Sequence, residues 1–306
     1  MYCLEKGHIA AEEYREGAPK IRNNTFRVIL SGRLGNQLFI YFAGLVCARK
    51  TGSELELLDF SRELPRSSSA LENFTINALV RSPTFLERRK RSLAQQLERL
   101  QVSGITTLTG HYVSKRIGFD SQVFRLGPRM MVEGYFQTHY YFQMLSPEDK
   151  ALWLRTPGVE FEKLKDEALK EPPLMVHVRR GDYLHKQTSQ NFGVLSDQYF
   201  RDAIEISNQK HKRQIWFFSD SPELIKDLAS SYKDSRIVAS LTPAESLSLM
   251  SMSRFLITSN SSMSFWSGML ASSPTTVYAP SKWFIAHPQF DPCPPSWIRL
   301  APQWQL

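Results

Sequence analysis

Arg179 and Arg180 stand side by side after the apolar run 174–178, and Gly181 and Asp182 follow them. Two guanidiniums stay charged at any working pH, and their planar forks match phosphate oxygens bidentately. That is the chemistry of a clamp on a phosphorylated ligand. The alternative is one Arg in solvent and the other paired with Asp182. Gly181 lets the backbone turn sharply or approach a ligand closely. Asp182 can orient an Arg or bind a sugar hydroxyl. A second cluster, Ser259-Asn260-Ser261-Ser262-Met263-Ser264, puts hydroxyls and an amide at a predicted helix start. Free backbone N–H groups and the helix dipole favour an anion there. Plain N-capping by Ser261 or Ser262 competes with that reading. A third cluster, Gly32-Arg33-Leu34-Gly35-Asn36-Gln37, is a glycine-bounded turn carrying Arg, Asn and Gln. Alone it is weak evidence. His177 lies inside a strand pattern, where a structural hydrogen-bonding role competes with that of a catalytic base.

Several chemistries are excluded. No Gly-x-Gly occurs, so there is no dinucleotide fingerprint, and there is no P-loop, HExxH or GxSxG elbow. No Asp-x-Asp is available for a nucleotide-bound divalent metal. Cys3, Cys47 and Cys293 are far apart and form no CxxC or Cys/His cluster. That excludes a disulfide framework and the common structural zinc patterns, and a reducing compartment is the simplest fit.

These clusters need elements to position them. Residues 26–30 read as a strand that turns at Ser31-Gly32, and a helix with apolar residues at helical spacing runs from Asn36 to near Gly52. A short strand at 55–58, a charged helix at 84–101 and a strand end near 130–136 follow. In the second half, strands at 174–178, 215–218, 236–238, 255–258 and 275–278 alternate with helices at 196–209, 222–230, 243–252 and 263–271. Ser196 is the expected N-cap of the first of these helices. The Pro- and Trp-rich tail after Pro280 is expected to pack over the surface. Strand–helix alternation implies an α/β fold with parallel sheets, whose ligands bind at the carboxyl ends of the strands. Arg179 to Asp182, Ser219-Asp220 and Ser259 to Ser262 all fall at such ends.

The 306 residues suggest two domains, at ~100–200 residues each. Apolar residues make up 42% and charged residues 22%, which argues against intrinsic disorder. The net charge of +8 is uneven, with 21 Lys and Arg against 15 Asp and Glu in the first 150 residues. The densest run is Arg88-Arg89-Lys90-Arg91. It reads as a solvated helix face or as a contact for anionic lipid headgroups. A nucleic-acid interface is not expected, because no basic stripe interleaved with aromatics or named motif occurs. No apolar run reaches the ~18 residues of a membrane span. Residues 1–20 read as a polar lead-in without a signal peptide.

His177-Val178-Arg179-Arg180-Gly181-Asp182 resembles the HxRRxD motif of fucosyltransferases that use GDP-fucose. Gly32 to Phe39 resembles the GxLGNQ motif of the same superfamily. Glu133 to Gln137, Phe218-Ser219-Asp220 and Ser259 to Trp266 resemble further family segments, in family order, so that the likeness covers about residues 26–285. The chain most resembles glycosyltransferase family 11, the α-1,2-fucosyltransferases. The resemblance implies a GT-B-like fold of two Rossmann-like domains facing a cleft. Residues 21–160 would be the acceptor-side domain and residues 161–306 the GDP-fucose-binding domain with its tail. It implies inverting, metal-independent fucosyl transfer from GDP-β-L-fucose to the 2-OH of a terminal β-galactose on a glycan or glycolipid precursor; the alternatives are a fucosyltransferase of another linkage, a transferase using another nucleotide sugar, and a non-catalytic nucleotide- or glycan-binding module. No cofactor is expected beyond that donor.

Arg179 and Arg180 are then assigned to the departing diphosphate, with Asp182 and Asn36 completing the catalytic set. Glu133 is an alternative base to Asp182. Gly32, Arg33, Gly35, His177, Asp220, Asn260, Ser261, Ser262 and Ser264 are assigned to donor binding, with His177 and Asp220 near the guanosine. A clamp from both domains would make domain closure part of catalysis. The expected location is the cytoplasm, peripheral at the inner membrane face, or the Golgi lumen if a native anchor is missing from the sequence.

Overall fold

The computed structural model describes residues 24–60, 70–99, 110–128, 130–209, 212–271 and 274–305. The polar lead-in and Cys3 lie outside them. The chain opens on β1 (Thr25–Leu30), α1 (Leu34–Thr51) and β2 (Glu54–Asp59). It continues through β3 (Phe74–Thr75), β4 (Leu79–Arg81), α2 (Phe85–Arg99), β5 (His111–Val113) and β6 (Met131–Glu133). Two short helices, α3 (His139–Gln143) and α4 (Pro147–Lys150), then β7 (Trp153–Leu154) and α5 (Val159–Lys170), lead into the second half. There β8 (Leu174–Val178) is followed by α6 (Lys186–Phe192), α7 (Asp197–Asn208) and β9 (Ile215–Ser219). Next come α8 (Lys226–Ser230), β10 (Ser235–Ile237), α9 (Pro243–Ser251) and β11 (Phe255–Ile257). The last elements are α10 (Ser262–Met269), β12 (Thr276–Pro280) and β13 (Ile298–Leu300).

The strands form two parallel sheets and one small antiparallel pair, β3 with β7. The first sheet has the order β4-β2-β1-β6-β5, with Val28 of β1 in register with Leu57 and Val132. The second has the order β10-β9-β8-β11-β12-β13, with Val176 of β8 in register with Phe217 and Ile257. Each sheet is laid down outward from a central strand, and the chain later returns to that strand's other side. The strand order therefore reverses between β1 and β6 and again between β8 and β11. In open α/β sheets the crevice at such a reversal is where ligands bind. Two Rossmann-like halves with facing crevices make a GT-B-like architecture.

The apolar strand runs explain why the sheets are covered on both faces: every residue of β8 is buried. Helix α1 is also buried on nearly all sides. It packs on β1 and β2 and meets α10 from the other half. Phe39 lies 4.7 Å from Phe265 and 4.8 Å from Trp266, and Phe42 lies 4.8 Å from Trp266, ring centre to ring centre. Burying each of these rings contributes roughly 1.5–3 kcal/mol. The halves thus share one apolar core, and any closure between them must pivot about the α1–α10 contact. At its tip Gly35 touches the α10 backbone: a Cβ there would sit 2.5 Å from Ser262 Oγ and 2.6 Å from Met263 N.

The tail corrects the expectation of surface packing. It supplies β13 as the edge strand of the second sheet, and it buries Trp283 and Trp297. No described helix is long and apolar enough to cross a membrane.

Candidate active site

A cavity of about 950 Å³ lies between the two sheets, within the usual size range of a small-molecule site. The loops after β1, β6, β8, β9 and β11 all reach it. Gly32, Arg33, Gly35, Asn36, His177, Arg179, Asp182, Asp220, Ser261 and Ser262 line it. Arg180, Asn260 and Ser264 do not.

Arg179 is the most heavily oriented group. Its Nη2 donates to Asp182 Oδ1 at 2.5 Å, and its Nη1 lies 3.2 Å from Asp220 Oδ2. Its guanidinium stands 5.2 Å from the centre of the Tyr183 ring, and the Tyr183 hydroxyl donates to the Asn260 carbonyl. Its Nε is buried and has no hydrogen-bond partner among the described residues. A buried donor left unpaired costs about 1–3 kcal/mol. Gly181 is required beside it. Its φ is +24°, and a Cβ would fall 2.0 Å from Asp220 Oδ2.

Arg180 corrects the expected two-arginine clamp. It is only 4% exposed. It donates to the Leu195 carbonyl at 2.8 Å and to Asp197 at 2.6 Å, which ties β8 to the start of α7. Successive side chains at a strand end point to opposite faces, so two adjacent arginines cannot both face one crevice. Only its backbone N–H serves the site, donating to Asp220 Oδ1 at 2.9 Å.

The serine cluster divides in the same way. Ser261 holds the N-cap position of α10, but no side-chain capping bond is made, so the hydroxyls leave the first N–H groups of the helix uncapped. The α1 N-terminus is likewise without a side-chain cap. Both helix starts border the cavity and favour an anion there. Ser264 is buried and donates back to the Ser259 and Ser261 carbonyls. Asn260 is also buried, and its amide donates to the carbonyls of Phe192, Gly193 and Trp283. Both are structural positions, which corrects their assignment to donor contact.

His177 Nδ1 is 2.9 Å from Ser259 Oγ. Burial, with the Arg179 charge behind it, pushes the imidazole down to about 3. A ring that stays neutral at every working pH fits a hydrogen-bonding role better than that of a proton carrier.

The opposite wall comes from the first sheet. Arg33 reaches across, its Nη2 3.6 Å from Asp182 Oδ2. Asn36 Oδ1 accepts from Gln137 Nε2 at 3.0 Å. Glu133 accepts from Arg91 Nη2 at 2.6 Å and lies 3.2 Å from His111 Nε2. Burial alone would raise the Glu133 carboxyl, but His111 and Arg91 hold it down to about 2. Such a weak base is a poor match for taking a hydroxyl proton, which corrects the alternative assignment of Glu133. Arg91 also divides the basic run: Arg89 and Lys90 stay exposed, whereas Arg91 turns inward to the cavity.

Sequence reasoning missed Arg91, Tyr135, Gln137 and Tyr183 as cavity residues. The signal for two of them was present: Glu133, Tyr135 and Gln137 alternate at a strand end. Among the described residues, no group of three or more His, Cys, Asp or Glu side chains is gathered as a metal site.

An α-1,2-colitosyltransferase of Escherichia coli is 26% identical over 293 residues, spanning 89% of this chain and 97% of that protein. The O-antigen biosynthesis glycosyltransferase WbnK of Escherichia coli is 25% identical over 300 residues, spanning 89% and 99%. Among solved structures, NodZ α-1,6-fucosyltransferase soaked with GDP-fucose aligns with a TM-score of 0.46 and 13% identity, over 81% of this chain and 93% of that one. A mutant of FUT1 from Arabidopsis thaliana in complex with GDP gives 0.48 and 10%, over 88% and 72%. The family model of glycosyl transferase family 11 matches residues 5–299, and the chain belongs to that family of glycosyltransferases.

Proposed function

We propose that this glycosyltransferase moves L-fucose from GDP-β-L-fucose to the 2-OH of a terminal β-galactose on a glycan or glycolipid precursor. The linkage formed is α-1,2, with inversion at the anomeric carbon. The observation that carries the reading is Arg179, lining the cavity, fixed by two carboxylates and set beside the uncapped N-terminus of α10. As the C1–O bond to the diphosphate breaks, negative charge grows on the departing oxygens. Arg179 and the N–H groups at Ser262 and Met263 meet that charge without reorganising. Positive charge on the sugar develops as in an oxocarbenium ion, and the acceptor hydroxyl attacks from the opposite face. Its proton leaves late. Asp182 is assigned to receive it, with the oxygen that faces Arg33. The apolar residues Phe218, Val238 and Leu241 line the cavity beside β9 and β10 and suit a nucleobase.

No metal step enters this reading. Activity is expected to survive EDTA, and a loss restored by Mn²⁺ would overturn that part. The α-1,2-colitosyltransferase relative favours one second reading, a colitosyl donor in the same site. A donor panel with NMR of the product separates the two. Acceptor-dependent GDP release from GDP-fucose, giving an α-1,2 linkage to galactose, supports the first. Turnover confined to the colitosyl donor supports the second.

Peripheral contact with anionic lipid is proposed for α2, where Arg89 and Lys90 stand exposed beside exposed Phe85 and Leu86. Flotation on phosphatidylglycerol vesicles should fall when Arg89 and Lys90 are both changed to Glu. Unchanged flotation removes the contact.

A further inference from the structure

The chain leaves β6 as Glu133-Gly134-Tyr135-Phe136-Gln137, and this segment is built in two registers. Glu133, Tyr135 and Gln137 line the cavity. Phe136 turns the other way and is buried, its ring 5.8 Å from that of Tyr141. Gly134 leaves no room for a side chain: a Cβ there would meet Phe136 Cζ and Ser114 Cβ, each at 2.9 Å. Phe136 has φ +52°, the one positive φ outside glycine among the described residues. An L-residue holds that conformation only where its surroundings over-determine it, and such positions cluster at ligand sites. Here the Phe136 ring is locked in the core, and the Gln137 N–H donates to the Ile117 carbonyl at 2.7 Å.

The three cavity-facing groups are chemically distinct. Glu133 is fixed by Arg91 and His111: Oε1 accepts from both Arg91 Nε and Nη2, and only Oε2 keeps a lone pair for a further donor. Tyr135 is 46% exposed and makes no ring contact or hydrogen bond among the described residues. Gln137 spends its amide N–H on Asn36, which leaves its carbonyl oxygen as an acceptor. Arg33, Lys115 and Arg116 also line the cavity from this half, but at residues 133–137 Arg91 cancels Glu133, so the segment brings no net positive charge to the anionic part of a donor. It offers an aromatic face flanked by acceptors for hydroxyl hydrogens. That matches a neutral pyranose, which has an apolar C–H face and hydroxyls at its edge.

We infer that Glu133, Tyr135 and Gln137 form the acceptor subsite, holding one hydroxyl-rich neutral pyranose with its apolar face on Tyr135. The inference rests on the glycosyl-transfer reading of the cavity and adds the residues that choose the acceptor. Arg91 and His111 are positioning residues, acting through Glu133.

Saturation-transfer NMR with methyl β-D-galactopyranoside, run with and without GDP, tests the subsite directly. Calorimetric GDP binding and acceptor KM are read on the same variants. Tyr135→Ala should weaken the galactoside signal and raise acceptor KM by tenfold or more, with the Kd for GDP within threefold of wild type. Tyr135→Phe should restore most of the acceptor KM. Glu133→Gln should raise acceptor KM with GDP binding intact. Unchanged galactoside binding and KM in Tyr135→Ala overturns the assignment. So does a loss of GDP affinity that parallels the acceptor effect, because the segment would then belong to the donor. A wild-type protein that binds the galactoside through Tyr135 but not GDP would instead contradict the donor reading and leave the subsite standing.

Discussion

At the carboxyl ends of β8 and β11 the cavity wall is made of an arginine, small hydroxyls and uncapped backbone N–H groups. At the carboxyl ends of β1 and β6 it is made of a buried ion pair, an exposed tyrosine and two amides. The strand order reverses at both places, so the same topology makes a crevice twice. The chemistry differs because the loops differ. One wall sets Arg179, held by two carboxylates, beside uncapped helix N–H groups, donors that suit a diphosphate. At residues 133–137 the other pairs Arg91 against Glu133, and that segment suits a neutral ring. The fold supplies two sites, and the loop residues decide what each one takes. The α1–α10 contact joins the two walls through the shared apolar core.

The largest effect should come from breaking the anion-binding wall alone. Arg179→Ala is expected to lower fucosyl transfer by ~10²–10³-fold, with circular dichroism and the melting temperature near wild type. Wild-type turnover in that variant would remove Arg179 from the diphosphate.

The neighbouring change sharpens the contrast. Arg180→Ala leaves the Leu195 carbonyl and Asp197 without their donor and should cost about 1–3 kcal/mol of stability. A few degrees of melting temperature should be lost, while the folded fraction keeps its affinity for GDP. A loss of GDP affinity with unchanged melting would put Arg180 back in the clamp.

The smallest effect concerns His177. Its folded pKa lies near 3, below the 6.5 of an unhindered imidazole. The unfolded chain therefore takes up this proton first as pH falls. The stability contribution is complete above pH 6.5 and is lost progressively from there toward pH 3, at up to about 1.4 kcal/mol per unit. Urea unfolding at pH 7.5 and 5.5 should show a smaller acid loss for His177→Gln than for wild type. Equal acid losses would contradict this account of the buried ring.

Much of the second sheet was legible in the sequence, because β8, β9 and β11 are apolar runs that end abruptly in polar clusters. Strands β4, β5 and β13 were not, since three residues carry no usable period and pair only because a neighbouring strand offers its edge. At the site, residue type pointed to anion chemistry but not to direction. Arg179 and Arg180 look equivalent in a motif, and only strand alternation separates them. Applied to residues 133–137, the same alternation marks Tyr135 and Gln137. Arg91 was hidden for a different reason: within a basic run, only the packing of α2 against β5 shows which charge turns inward.

The central claim is that the β8–β11 wall holds a diphosphate, and calorimetric titration of GDP and GMP into wild type and Arg179→Ala tests it most directly. Wild type should bind GDP more tightly than GMP, and Arg179→Ala should lose most of that difference. Equal affinity for the two nucleotides in wild type, or an Arg179→Ala protein that binds GDP as wild type does, would contradict it.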